Sequence, residues 1–263
     1  MLQGLQKFNS LGVSLILEGI VRLSLALAFI FMGFKANGAI AAVPIATAVA
    51  VILSFFPLKL KKSKGNLKLN RKEIYKFTFM SFIALFLVNA IYNLDIFLVK
   101  HFFSAEQAGY YAAISLLGKI VFFGATAIGL VMFPKVSEMH IKDKKAAKSI
   151  FKKALGFTLL ISAAVVAVYF LIPTFLVSLL FGSQYLAIIP LIGFFGVFMA
   201  MLSLSYICVL MKLATGKRRF IFNLLIAVIA EIILICIFHE SLEQIILNLI
   251  AVNSLLLISL IKS

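Results

Sequence analysis

The chain is short of acid. Asp and Glu together number 9 against 25 Lys and Arg, and charged residues of both signs make up only 13% of the 263 residues. A soluble domain carries about 25%, so there is too little charge here to cover a water-facing surface. On a soluble domain the formal net charge of +16 would point to nucleic acid. In so apolar a chain it points instead to basic loops beside a membrane, and no nucleic-acid partner is expected. Tryptophan is absent, and the two cysteines, Cys208 and Cys236, lie inside apolar runs. Neither has metal-ligand spacing or a nearby histidine, which leaves them packing roles. His101, His140 and His239 are scattered; no metal and no cofactor are expected. There is no glycine-rich phosphate loop, no His-Glu-x-x-His, no nucleophile elbow and no Cys-x-x-Cys. The connections are too short to hold a catalytic domain, so an enzyme is not expected. Residues 1–10 lack the short apolar region and small-residue cleavage site of a secretory leader; the first apolar run is a signal-anchor helix.

What the chain does have is apolar length. Hydrophobic residues make up 63%, with 27 phenylalanines, and the mean hydropathy is +1.15. Crossing a bilayer core takes about 20 apolar residues in a helix. Runs of that kind lie at 11–34, 39–57, 77–99, 108–133, 154–180, 185–211, 220–238 and 244–261. The fold class is therefore all-α, a polytopic transmembrane bundle of about eight spanning helices. Every second connection is basic. Residues 58–76 carry Lys59, Lys61, Lys62, Lys64, Lys68, Arg71, Lys72 and Lys76, residues 134–153 carry seven lysines, and residues 212–219 carry Lys212, Lys217, Arg218 and Arg219. The alternate connections hold only Lys35 and Lys100. Basic loops stay cytoplasmic, so both termini are expected in the cytoplasm of a bacterial or archaeal inner membrane. Tyr110, Tyr111 and Tyr185 then fall at outer helix ends, as interfacial aromatics do. The basic stretch 58–76 divides two helices (1–57) from a six-helix bundle (77–263). Residues 141–153, with Ile141, Ala146, Ala147 and Ile150 among lysines, read equally as a surface amphipathic helix or a solvated loop.

Five charges sit inside spans: Glu18, Arg22, Asp95, Lys119 and Glu231. At the bilayer centre each costs roughly 2.5–3.5 kcal/mol on insertion scales, so it faces protein or a wet cavity. Glu18 and Arg22 stand one helical turn apart, either as a self-satisfying ion pair or with Arg22 held ready for an anion. Asp95 follows Asn89 and Asn93, which form a polar stripe needing a helix partner or water. Lys119 lies near mid-span of the next helix. An Asp95–Lys119 pair between adjacent helices and a substrate contact are equally open readings. Glu231 has no cation within a turn; it is either a structural carboxyl or a proton- or cation-coupling group. Pro44, Pro173 and Pro190 mark kinks or helix ends.

Several fragments together carry a resemblance. Asp95 is followed by a short outer turn, by Ser104-Ala105-Glu106 and by Gly109-Tyr110-Tyr111-Ala112-Ala113. Pro134-Lys135-Val136-Ser137 closes the next span. Phe181-Gly182, Tyr185 and Pro190 form a later turn, Ala214-Thr215-Gly216-Lys217 another, and Leu2 to Phe8 precedes Glu18 and Arg22. In order and spacing these resemble the oligosaccharide flippases and polysaccharide-biosynthesis exporters of the multidrug/oligosaccharidyl-lipid/polysaccharide exporter superfamily. Such exporters commonly have two six-helix bundles around a central cavity. By that resemblance the chain matches the last two helices of the first bundle and all of the second. The first four helices are then missing, through a fragment, a gene-model truncation or a shortened member; a homo-oligomer or a separate first bundle would complete the cavity.

The resemblance implies a flippase for a polyprenyl-diphosphate-linked glycan, serving surface polysaccharide or O-antigen assembly, with membrane lipid and that glycan as partners. Arg22 and Lys119 would contact the diphosphate. Asp95 and Glu18 would neutralise them in the empty site, Asn89 and Asn93 would line the cavity, and Glu231 is the ion-coupling candidate. A cation-coupled drug or metabolite exporter of the same superfamily is the nearest alternative. A membrane-embedded glycosyl- or acyl-transferase, or a non-transporting scaffold, are alternatives of another class.

Overall fold

The computed structural model describes residues 2–56 and 71–262. Residues 57–70, most of the basic connection, lie outside the described residues, whereas 71–76 form the opening turns of a long helix. The described residues are helical, with no strand among them. Seven stretches are long and apolar enough to cross a membrane, close to the eight expected; the first, Phe8–Phe55, runs for 48 residues and contains two helices. The chain divides into two compact units, Met1–Leu69 and Asn70–Ser263.

In the first unit α1 (Phe8–Phe29) and α2 (Lys35–Phe55) pack on each other. The turn between them uses left-handed backbone at Gly33 (φ 91°) and Lys35 (φ 49°). Glycine adopts this without a Cβ clash; Lys35 does not have that freedom. The buried residues of α2 are Gly38, Ala42, Ala46 and Ala50. Their four-residue spacing makes a stripe of small side chains, which lets two backbones approach closely in lipid. A Cβ on Gly38 would lie 2.6 Å from that of Phe29. Large side chains such as Ile16, Ile20, Leu23 and Ile52 remain exposed.

The second unit comprises α3 (Arg71–Phe102), α4 (Ala105–Lys142), α5 (Lys144–Leu171), α6 (Pro173–Phe181), a tight turn at Ser183–Ile188, α7 (Ile189–Ala214), α8 (Phe220–Ile237) and α9 (Leu242–Lys262). The core runs along α7, which packs on α4, α5 and α9; α8 packs on α3 and α9. Phe195, Phe198, Met199 and Leu202 of α7 are almost wholly buried. The α4–α7 contact is close because α4 presents glycine there. A Cβ on Gly118 would meet the Phe195 ring at 2.4 Å, and one on Gly129 would meet Leu210 at 2.5 Å. Tyr169 of α5 donates from its buried hydroxyl to the Leu117 carbonyl of α4 at 2.7 Å. Phe157, Leu159 and Leu160 of α5 and Phe222, Ile226 and Ile233 of α8 point outward, as a lipid-facing surface requires.

Three expectations change. The run 154–180 is broken: α5 ends at Leu171, and Pro173 opens α6, because proline suits the first turn of a helix and not its interior. Residues 141–153 form neither a separate surface helix nor a loop. Helix α4 continues to Lys142, and Asp143 caps α5 by accepting from the amides of Lys145 (2.8 Å) and Ala146 (3.2 Å). Cys208 is buried as expected, but Cys236 is exposed on α8.

Candidate functional site

Two polar constellations lie in the second unit and one in the first. The deepest joins α3, α4 and α8. Asp95 is 0% exposed, Tyr111 0% and Glu231 1%. The Tyr111 hydroxyl donates to Asp95 Oδ2 at 2.8 Å. Asp95 Oδ1 and both carboxylate oxygens of Glu231 are buried without a hydrogen-bond partner among the described residues. Helices α3 and α8, which carry the two carboxyl groups, pack on each other. Buried polar groups are normally satisfied. Three carboxyl oxygens, one of Asp95 and two of Glu231, depart from that norm among the described residues.

The second constellation is centred on Lys119 of α4. Its Nζ donates to Asn93 Oδ1 of α3 at 3.1 Å and lies 4.8 Å from the centroid of the Tyr92 ring. The expected Asp95–Lys119 pair does not form; each takes a different partner across the same helix pair. The reason is angular. Asp95 and Asn93 are two residues apart, about 200° around a helix, so one faces the core beside Tyr111 while the other meets Lys119. Asn93 donates to the Asn89 carbonyl and Asn89 to that of Leu85, each at 3.0 Å. Both amide NH2 groups are thereby turned onto their own helix, leaving the Asn93 oxygen for the lysine.

A cavity of about 360 Å³ opens between α3, α4 and α7, lined by Val88, Asn89, Tyr92, Phe122, Thr126 and Tyr206 among others. Tyr92 lies 4.7 Å from Phe122, and Phe122 lies 5.4 Å from Tyr206, centroid to centroid. An apolar, aromatic wall with a few placed polar groups is the usual make-up of a small-molecule pocket.

A profile described as polysaccharide biosynthesis protein matches residues 2–190, well over half of the chain. The chain belongs to the polysaccharide biosynthesis protein family. No match to a curated protein or to a solved structure was found. For this family member the helical bundle makes a multi-pass membrane protein.

In the first unit of the polysaccharide biosynthesis protein, Arg22 donates to Glu18 across one turn of α1. Thr47 of α2 adds a hydrogen bond to the same carboxylate oxygen at 3.0 Å. The Arg22 side chain remains 45% exposed. The other side of the guanidinium is thus open, while its carboxylate is tied to both helices. Sequence reasoning had no means of naming Thr47, 29 residues away. Nor did it single out Tyr92, Phe122 or Tyr206. The one local signal was the three-residue step from Asn89 to Tyr92, which puts them on one face of α3. Tyr111 had been placed among the interfacial aromatics. Tyr110 and Tyr185 do pair edge-on at 5.7 Å, half-exposed, but Tyr111 turns inward and is buried.

Proposed function

We propose that the protein moves a polyprenyl-diphosphate-linked oligosaccharide across the inner membrane for surface polysaccharide assembly, as a transporter and not as an enzyme. One observation carries this reading. Lys119 sits over the ring of Tyr92, a residue that lines the aromatic cavity, with Asn93 accepting from its ammonium. A cation beside aromatic walls fits a sugar joined to a phosphate: the rings pack against the sugar faces, Asn89 and Thr126 meet hydroxyls, and Lys119 meets the phosphate charge. In the helical hairpin, considered by itself, Arg22 is anchored by Glu18 and Thr47, and its planar donor fork suits phosphate oxygens. The lipid tail stays in the bilayer.

Asp95 and Glu231 are not among the residues that line that cavity and serve as the coupling pair. Loading a proton or cation between them neutralises them, which favours closer packing of α3 against α8. Alternating access through rocking of bundles would then be biased by ion occupancy. With the basic connections on the cytoplasmic side, both termini are cytoplasmic. A cation-coupled exporter of cationic drugs draws support from the same aromatic wall, but Lys119 already covers the Tyr92 face with positive charge.

The test is binding of a polyprenyl-diphosphate disaccharide to the purified protein in detergent, read by microscale thermophoresis. Lys119→Gln is expected to weaken binding about 30-fold, the loss of one charge-assisted contact of ~2 kcal/mol. Unchanged affinity in a folded Lys119→Gln protein, or equal binding of a cationic aromatic dye, sinks the assignment.

A further inference from the structure

A second cavity, far from the aromatic one in character, opens at a basic end of the second unit. It measures about 340 Å³ and is lined by Lys212, Lys217, Arg218, Arg219 and Phe220, at the junction of α7 and α8. No acidic side chain lines it among the described residues. Basic loops at membrane surfaces normally hold their lysines in water, as Lys144 and Lys145 do here. Lys212 differs, being only 7% exposed. It is held at the last turn of α7, and Gly216 (φ 72°) turns the chain back so that Lys217, Arg218 and Arg219 close around the same space. The cavity also lies at the N-terminus of α8, where no side chain caps the helix and the helix dipole adds positive potential.

A third cavity continues along the same helix. It measures about 270 Å³, lies between α8 and α9, and is almost wholly apolar. Phe220 lines the basic cavity, and Asn223, Ala227, Ala230 and Leu234 line the apolar one. These five residues recur at steps of three and four, so they form a single stripe of α8. The basic pocket and the apolar groove are thus one surface, charged at the end and apolar along its length. Small side chains make the groove: Ala227 and Ala230 face Ala251 of α9. Its rim residues Ile226 and Leu255 are 65% and 69% exposed, so the groove opens toward the bilayer.

We propose that this surface binds one anionic phospholipid, with the phosphodiester among Lys212, Lys217, Arg218 and Arg219 and an acyl chain along the α8–α9 groove. Charge and polarity both match. Basic pockets between helices at a membrane surface hold anionic headgroups, each nearby cation adding about 1 kcal/mol, and a groove lined almost wholly by apolar side chains suits an acyl chain and not a headgroup. The occupant is a resident lipid of the bilayer and not the transported one, since the groove faces outward from the bundle. This assignment does not depend on the transport reading.

The experiment is native mass spectrometry of the full chain released from micelles containing phosphatidylglycerol or phosphatidylcholine. The wild type is expected to retain one phosphatidylglycerol and no phosphatidylcholine. Lys217→Gln/Arg218→Gln, both exposed positions that leave the fold alone, is expected to reduce the retained fraction about 10- to 30-fold. Lys144→Gln/Lys145→Gln, which removes equal charge from α5, is expected to change it less than about twofold. Ala230→Leu tests the groove separately and is expected to lower retention without removing any charge. Equal losses in both charge variants would reduce the pocket to general surface attraction. Displacement by inorganic phosphate would make it a soluble-anion site, and displacement by a polyprenyl diphosphate would make it a substrate site; either overturns the proposal.

Discussion

The hydroxyl of Tyr111 donates to Asp95 Oδ2 at 2.8 Å where neither side chain meets solvent, so that one bond ties α4 to α3 inside the bundle. Its partner oxygen, Oδ1, has no bond among the described residues. The link is both a structural clamp and the boundary of the unsatisfied carboxyl pair.

Tyr111→Phe keeps the ring and its edge-on contact with Phe195 at 5.7 Å but strips Asp95 of its hydrogen bond. Leaving a buried acceptor unsatisfied costs about 1–3 kcal/mol. Thermal unfolding in detergent should show a lower midpoint for Tyr111→Phe, and the double variant Tyr111→Phe/Asp95→Leu should recover much of the loss. No recovery would mean that the cost lies in ring packing and not in the orphaned carboxyl.

Glu231→Gln replaces a buried carboxyl, unpartnered among the described residues, with a group of the same shape that cannot ionise. The variant is expected to be at least as stable as the wild type, because it removes a group whose charged form would be costly there. In a vesicle assay of glycolipid translocation it should lose dependence on an imposed ion or proton gradient. Retained gradient dependence would remove Glu231 from the coupling role.

Gly118→Ala should destabilise the second unit by about 1–3 kcal/mol through overpacking, since its Cβ would fall 2.4 Å from the Phe195 ring. Pairing it with Phe195→Leu relieves the clash and should restore part of the midpoint. Gly156→Ala, where nothing lies within 4 Å of the added Cβ, is the matched control and should be neutral or slightly stabilising. A similar loss at both positions would place the effect outside the α4–α7 contact.

Thr47→Val leaves Glu18 with Arg22 alone. The hydrogen bond at 3.0 Å links that carboxylate on α1 to α2, whereas Arg22 lies on α1 itself, and such interhelical bonds in membranes contribute about 0.6 kcal/mol. A small fall in the hairpin's protection from hydrogen exchange is expected, with Arg22→Met giving a larger loss of glycolipid binding than Thr47→Val. The opposite order would make the hairpin's polar cluster structural.

The sequence by itself determined the helices. Hydropathy over a span is a local property, and a helix satisfies its backbone bonds within its own segment, so each apolar run falls on helix, although α4 runs on to Lys142 and α5 already starts at Lys144, beyond the runs themselves. The fold class and the family followed from the same local runs and motifs. Pro173 marked a kink or a helix end in the run 154–180 but did not say which, because an apolar run reads the same whether or not a proline ends its helix; the structure makes it an end. What only the tertiary structure decided was which polar side chains meet. Asp95 chose Tyr111 over Lys119, Lys119 chose Asn93 and Tyr92, and Glu18 gained Thr47. Each choice depends on how neighbouring helices are rotated and how closely they approach. That is set by glycine and alanine stripes on facing helices, such as Gly118 and Gly129 against α7, and not by the residues that carry the charge. A rotation of 100° per residue separates a lysine facing its carboxylate from one facing an aromatic cavity, and no single segment specifies that angle alone.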